Sequence, residues 1–229
     1  MKLLAIDTTE SACSAALLLD GALLERHELA PRRHGERLLP LIAELLAEAQ
    51  WSLGALDAIA FGRGPGAFTG VRIATGVAQG LALGADLPLV PVSSLMALAR
   101  GAYRRQGAPV EVLAALDARM GELYWAPVAV TEEQTHLLDQ EQVAPPSRVR
   151  APAGRTWVAI GSGWDAHLEG LAPRFRPQTV FHGAQIQARD LAVVGAQGWE
   201  RGEAVAPEQA LPRYLRNEVA QKPGGKGAL

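Results

Sequence analysis

The sequence predicts an α/β fold, and three observations carry that prediction. Short apolar runs of strand length alternate with longer segments of helical periodicity. A glycine-rich turn, Gly62-Arg63-Gly64-Pro65-Gly66-Ala67-Phe68-Thr69-Gly70-Val71-Arg72, joins one such run to a helix start. The halves also echo each other: Leu4-Ala5-Ile6-Asp7 and Ala114-Ala115-Leu116-Asp117 are apolar runs ending in aspartate, about half the chain apart, each soon followed by another apolar run. Duplicated lobes would produce this echo. So would chance, because strand–turn–strand units are common.

The elements follow in order. Residues 2–7, 13–19 and 22–29 are apolar runs separated by Thr8-Thr9-Glu10-Ser11 and by Asp20-Gly21, which predicts a three-strand meander. From residue 36 to 50, Leu38, Leu41, Ile42, Leu45 and Ala49 follow the i, i+3, i+4, i+7 template of an amphipathic helix, and Leu39 and Leu46 broaden its stripe. Pro40 marks the first turn of that helix or a kink, because proline lacks the N–H that a helix interior uses. Residues 58–61 read as a buried strand, 70–83 as a helix, 87–91 as a strand, and 95–103 as a helix capped by Ser93 or Ser94. Arg104-Arg105-Gln106-Gly107 then interrupts the apolar pattern and sets a boundary between two halves.

Composition excludes several classes. With 229 residues, 48% of them hydrophobic, and a net charge of −2, the chain has material for one large core or two modest ones. It lacks the broad basic face that binds nucleic acid unaided. Its one cysteine, Cys13, has no internal partner and reads as a small core residue. Asp7 interrupts the first apolar stretch, so that stretch is neither a signal-peptide core nor a membrane span. These features predict a cytoplasmic protein.

The glycine loop is the most specific chemical candidate. A glycine-rich turn before a helix points backbone N–H groups, and the positive end of the helix dipole, at whatever precedes it. Thr69 reads as the helix N-cap, while Gly64, Gly66 and Gly70 permit close backbone approach. The loop lacks the Gly-Lys-Ser/Thr of a Walker A motif and the glycine order of a dinucleotide fold. Asp7, Thr8 and Thr9 at one strand end and Asp117 at its echo complete the candidate nucleotide- or anion-binding set, and each is equally an ordinary turn residue. No two of the five histidines stand at i, i+4, no Gly-x-Ser-x-Gly is present, and so no catalytic residue and no metal ligand is assigned. After the loop, Gly76, Gly80 and Gly84 recur every four residues among Ala74, Ala78 and Ala82. Each interior glycine costs about 1 kcal/mol relative to alanine, so close packing must offset it.

Five stretches together carry a family resemblance. Leu4-Ala5-Ile6-Asp7-Thr8-Thr9, His34-Gly35-Glu36-Arg37-Leu38-Leu39-Pro40, the glycine loop from Gly62 to Arg72, Asp117-Ala118-Arg119-Met120-Gly121-Glu122 and Pro212-Arg213-Tyr214-Leu215-Arg216 closely resemble the bacterial TsaB (YeaZ) family. The resemblance implies an actin-like (ASKHA, ribonuclease H-like) α/β fold of two related lobes: residues 1–103 with the glycine loop and interface helices, residues 104–220, and a disordered tail 221–229. It implies a role in making threonylcarbamoyladenosine beside the anticodon of tRNAs that read codons beginning with A. In that family the partner TsaD transfers the group, with a metal held by a His-x-x-x-His pair and an aspartate. Here His34 is followed four residues later by Leu38, which fits a non-catalytic scaffold that binds and orders TsaD, with TsaE joining. The chain alone would form a homodimer, meet tRNA only through the complex and require no cofactor, ATP or ADP entering with the complex. The surface expected for partners is Leu38, Leu41, Ile42 and Leu45 with Val71, Arg72, Ala74, Thr75, Ala78 and Leu81, so that Ala78→Arg would break association and spare the fold. The alternative is a metallopeptidase-like or nucleotide-hydrolysing ASKHA enzyme, which would bind metal or ATP by itself.

Overall fold

The computed structural model describes residues 1–216. The predicted meander is present: β1 (Lys2–Asp7), β2 (Ala12–Leu19) and β3 (Ala22–Leu29) pair antiparallel, with Leu4 opposite Leu17 and Leu17 opposite Leu24. Helix α1 (His34–Ala49) begins two residues before its predicted start, because the Arg33 carbonyl already accepts the N–H groups of Glu36 and Arg37. Pro40 therefore lies in the second turn, and α1 continues past it without a break. Strand β4 (Ala58–Gly64) runs parallel to β1, and helix α2 (Phe68–Ala85) follows the glycine loop. Strand β5 (Leu89–Ser93) starts later than predicted, since Asp86 is left-handed and the Leu87 N–H still bonds to the Ala82 carbonyl of α2. In α3 (Ser94–Gln106) the cap is Ser93, whose Oγ accepts the Met96 N–H at 3.2 Å.

The second half repeats the plan. Strands β6 (Val110–Arg119), β7 (Glu122–Val130), β8 (Thr135–Leu137), β9 (Gln142–Ala144), β10 (Val158–Ile160) and β11 (Thr179–Phe181) form the second sheet, with helix α4 (Ser162–Phe175) between β10 and β11 and α5 (Ala188–Glu200) after them. The first sheet has the order β3-β2-β1-β4-β5. In the second, β8-β7-β6-β10-β11 runs in the same sense, antiparallel across the first three strands and parallel across the last three, with β9 also pairing with β7. Thus β6 and β7 occupy the places of β1 and β2, and the echo between Leu4–Asp7 and Ala114–Asp117 reflects equivalent strands. This is the actin-like, two-lobed α/β architecture that the resemblance implies.

Three cores arise from strand alternation. Leu3 and Ala5 of β1, and Val112, Ala114 and Leu116 of β6, point into a shared layer where α3 and α5 lie between the sheets. Leu4 and Ile6 point to the opposite face, which α1 and α2 cover with Leu38, Leu41, Ile42, Leu45, Ala78 and Ala82. On the far face of the second sheet, Leu113 and Ala115 pack with Trp125, Trp157 and with Trp164 of α4, whose indole N–H donates to the Leu113 carbonyl at 2.8 Å. Among the described residues no helix is long and apolar enough to cross a membrane. The expected tail, 221–229, lies outside the described residues.

Candidate functional site

A cleft of about 920 Å³ opens between the sheets at the ends of β1 and β6. Its first wall is the turn after β1 and the glycine loop; its second is the β6–β7 turn and the start of α4. Where β1 ends, Asp7 is buried, and its carboxylate accepts the Thr9 N–H at 3.0 Å and the Thr9 hydroxyl at 3.0–3.1 Å. Burial pushes its pKa up to about 7, against those bonds, which favour the charged form. Ser94 Oγ donates to Thr9 Oγ1, and Thr8 Oγ1 donates to the Gly70 carbonyl at 2.7 Å.

The glycines are explained by this turn. A Cβ at Gly62 would stand 2.0 Å from Asp7 Oδ2, one at Gly66 would stand 2.3 Å from the Thr9 carbonyl oxygen, and one at Gly70 would stand 1.9 Å from that of Thr8. One loop N–H is engaged as well: Ala67 donates to the Thr9 carbonyl at 2.7 Å. Ala67 is extended and its carbonyl accepts the Val71 N–H, so the helix begins at Phe68. Thr69 consequently sits exposed inside the first turn, and the expectation that it caps the helix is incorrect.

Of the eight residues expected to hold an anion, Thr9, Gly66 and Asp117 line the cleft, whereas Asp7, Thr8, Gly64, Thr69 and Gly70 do not. The carboxylates that do face it are Glu10, Asp117 and Asp165. Ser162 Oγ donates to Glu10 Oε1 and accepts the Asp117 N–H at 3.0 Å, which joins the two lobes at the cleft floor. Burial raises the Glu10 pKa, and the charges of Asp117 and Asp165 add to the effect. Glu10, Ser162 and Asp165 were not legible as site residues, although Gly161-Ser162-Gly163 repeats the small-residue strand-to-helix junction of the first lobe. There a Cβ at Gly161 would stand 2.3 Å from the Ala115 carbonyl oxygen.

A strap closes one side. The Arg213 N–H donates to the Arg63 carbonyl at 2.8 Å, and both guanidiniums pair with Glu141, whose side chain is fully buried and also accepts from Ser93 Oγ. Tyr214 accepts from Arg72 Nε at 2.8 Å, Arg72 stacks over Phe68 at 3.6 Å, and Arg216 pairs with Glu122 at the start of β7. Arg119 pairs with Asp117 at 3.1 Å. Among the described residues no group of three or more His, Cys, Asp or Glu side chains is placed to hold a metal ion. His34 is buried, which lowers its pKa, and Leu38 one turn on lies in the core. Cys13 is a core residue whose thiol burial pushes up to about 12.

The expected partner surface needs correction. Leu38, Leu41, Ile42, Leu45, Val71, Ala74, Thr75 and Ala78 are all buried within this chain, because α1 and α2 turn that stripe toward the first sheet; Leu81 is half-buried and Arg72 alone is exposed. Ala78→Arg would place a charge in the core rather than test a surface. What faces outward is Leu39 and Ala43 on α1 and Gly76, Gly80 and Leu83 on α2, with no atom within 4 Å of a Cβ built at either glycine.

The comparisons with known proteins agree with one another. The family model described as TsaD: tRNA N6-adenosine threonylcarbamoyltransferase matches residues 27–222. The chain is 45% identical to the tRNA threonylcarbamoyladenosine biosynthesis protein TsaB of Escherichia coli (strain K12) and 36% identical to that of Haemophilus influenzae. These alignments cover 97% of this chain in both cases, and 97% and 96% of the relatives. Among solved structures it is similar to YeaZ from Pseudomonas aeruginosa, with a TM-score of 0.88 at 48% identity over 93% of this chain and 99% of that one.

Proposed function

The chain belongs to the TsaB (YeaZ) family, and from that membership we propose a non-catalytic subunit of tRNA threonylcarbamoyladenosine biosynthesis that binds and orders TsaD, with TsaE joining the pair. The observation that carries the proposal is the outward face of α1 and α2, where Gly76 and Gly80 keep a lane open beside Leu39 and Leu83. Leu83 is 68% exposed and Leu39 49%. Solvent-facing glycines in mid-helix weaken an isolated chain, and an approaching helix backbone supplies the offsetting contact. The same face serves a second copy when TsaD is absent. tRNA is engaged within the complex, which places the protein's work in the cytoplasm.

The cleft supports a non-catalytic reading. Among the described residues its carboxylates form no metal-ligand grouping, the loop amide at Ala67 is used by Thr9, and three of its four arginines, at 119, 213 and 216, pair with Asp117, Glu141 and Glu122, which leaves Arg32 without an acid. Among the described residues no lysine lines its walls. In this reading the subunit requires no cofactor of its own, and nucleotide enters with the other components.

Gly80→Arg tests the docking face. The substituted side chain meets open space, so thermal stability is retained, while self-association and TsaD co-elution on size exclusion fall at least tenfold in apparent affinity, a loss of about 1.4 kcal/mol or more. An unchanged complex would reject this face.

A further inference from the structure

We propose that the end of the second lobe carries an RNA-backbone contact, formed by Arg148, Arg150, Arg174 and Arg176. The first two flank Val149 in the turn after β9, and the other two lie at the C-terminus of α4. Arg150 and Arg174 converge on one atom: each donates to the Val149 carbonyl oxygen at 2.9 Å. Arg150 also donates to the Ser147 carbonyl at 3.0 Å, and Arg174 to that of Pro146. These bonds hold two guanidiniums side by side without neutralising either. All four arginines are exposed, and among the described residues no carboxylate lies within ion-pair distance of any of them.

Many other arginines of the chain find acids, as Arg37 does with Glu28 at 2.6 Å and Arg201 with Glu203 at 2.7 Å. Of those that do not, Arg72, Arg100 and Arg105 lie over aromatic rings and Arg32 lines the cleft, whereas the remaining four are gathered here. A protein of net charge −2 that gathers four unpaired guanidiniums in one place presents a local anion site against its overall charge. Two guanidiniums fixed on one carbonyl oxygen suit the two free oxygens of a phosphodiester. The helix dipole of α4 accounts for a cation near its end, but not for the two from the preceding turn. The choice of RNA rests on the functional reading above. Four side chains on one patch suit a few successive phosphates, a footprint that supplements a binding site elsewhere in an assembly.

The test uses the full chain and labelled, unmodified tRNA, followed by fluorescence anisotropy over ~50–200 mM salt. The side chains of Arg148 and Arg176 make no hydrogen bond or ion pair within the described residues, so Arg148→Gln/Arg176→Gln leaves the fold intact, as circular dichroism verifies. The double variant should bind about tenfold more weakly and lower the steepness of log K against log salt by about 1.5, the loss of two phosphate contacts. Arg33→Gln, which removes an arginine already paired with Glu36, should change neither quantity. Equal affinity and slope in wild type and double variant would overturn the proposal. So would binding of inorganic phosphate or of anionic phosphatidylglycerol vesicles that matches binding of RNA. TsaD dependence on the chain is scored in a separate assay, so failure of the assembly reading and failure of this patch are distinguishable.

Discussion

Asp7 concentrates the residue-scale consequences. A carboxylate placed where a strand ends, with Gly62 allowing the approach of β4, is buried and among the described residues accepts hydrogen bonds from Thr9 alone. Its pKa near 7, raised by burial from 3.8, makes stability depend on pH in a definite sense. Below pH 3.8 both folded and unfolded chains hold the proton, and Asp7 contributes no slope. Between 3.8 and about 7 the folded state retains a proton that the unfolded state has lost, so stability falls as pH rises. The full cost, on the order of 4 kcal/mol, is reached above that range. Asp7→Asn should therefore equal the wild type near pH 4 and exceed it near pH 8 by about 1–4 kcal/mol in urea unfolding. Parallel pH profiles for the two proteins would refute this account.

At the scale of elements, α2 contains two kinds of glycine. Gly70 lies against the Thr8 carbonyl, where a Cβ would stand 1.9 Å away, whereas Gly76 faces open space. Gly70→Ala should lower stability by about 2 kcal/mol or more through backbone displacement, and Gly76→Ala should raise it by about 1 kcal/mol through helix propensity. Thermal melts of the two variants check the opposite signs. The sequence displayed α2 and its glycines plainly, since periodicity and spacing are local signals. It did not display which glycines touch the β1–β2 turn, because that depends on β1 and β4 lying side by side. The stripe Leu38–Leu45 illustrates the same limit. Periodicity identified an apolar face correctly, yet an apolar face reads alike whether its own sheet or a partner covers it, and here the sheet does. Strand and helix positions were mostly legible; Thr69 was misread because the helix starts at a hydrogen bond of Ala67, which no side chain announces.

For the whole molecule, the echo of Asp7 in Asp117 pointed to two equivalent sheets, and the topology has them. The cleft between them was only half visible. Glu10 follows β1 whereas Ser162 and Asp165 stand together on α4, far along the chain, and Glu141 pairs with Arg63 and Arg213 in the first lobe and the strap. Such convergence is set by how the lobes close on α3 and α5, not by any local pattern. The result is a braced, acid-lined cleft with its polar groups largely engaged internally, and an outward helical face with glycine gaps. Both features fit the proposed role, in which the molecule contributes surface rather than chemistry. Its central claim is that transfer to tRNA requires this chain although the chain performs none of it. The most direct measurement is threonylcarbamoyl transfer to unmodified tRNA by purified TsaD and TsaE with and without it. The account predicts no transfer by the chain alone, little by TsaD with TsaE, and restoration on adding the chain. Full-rate transfer in its absence, or transfer by the chain alone, would contradict it.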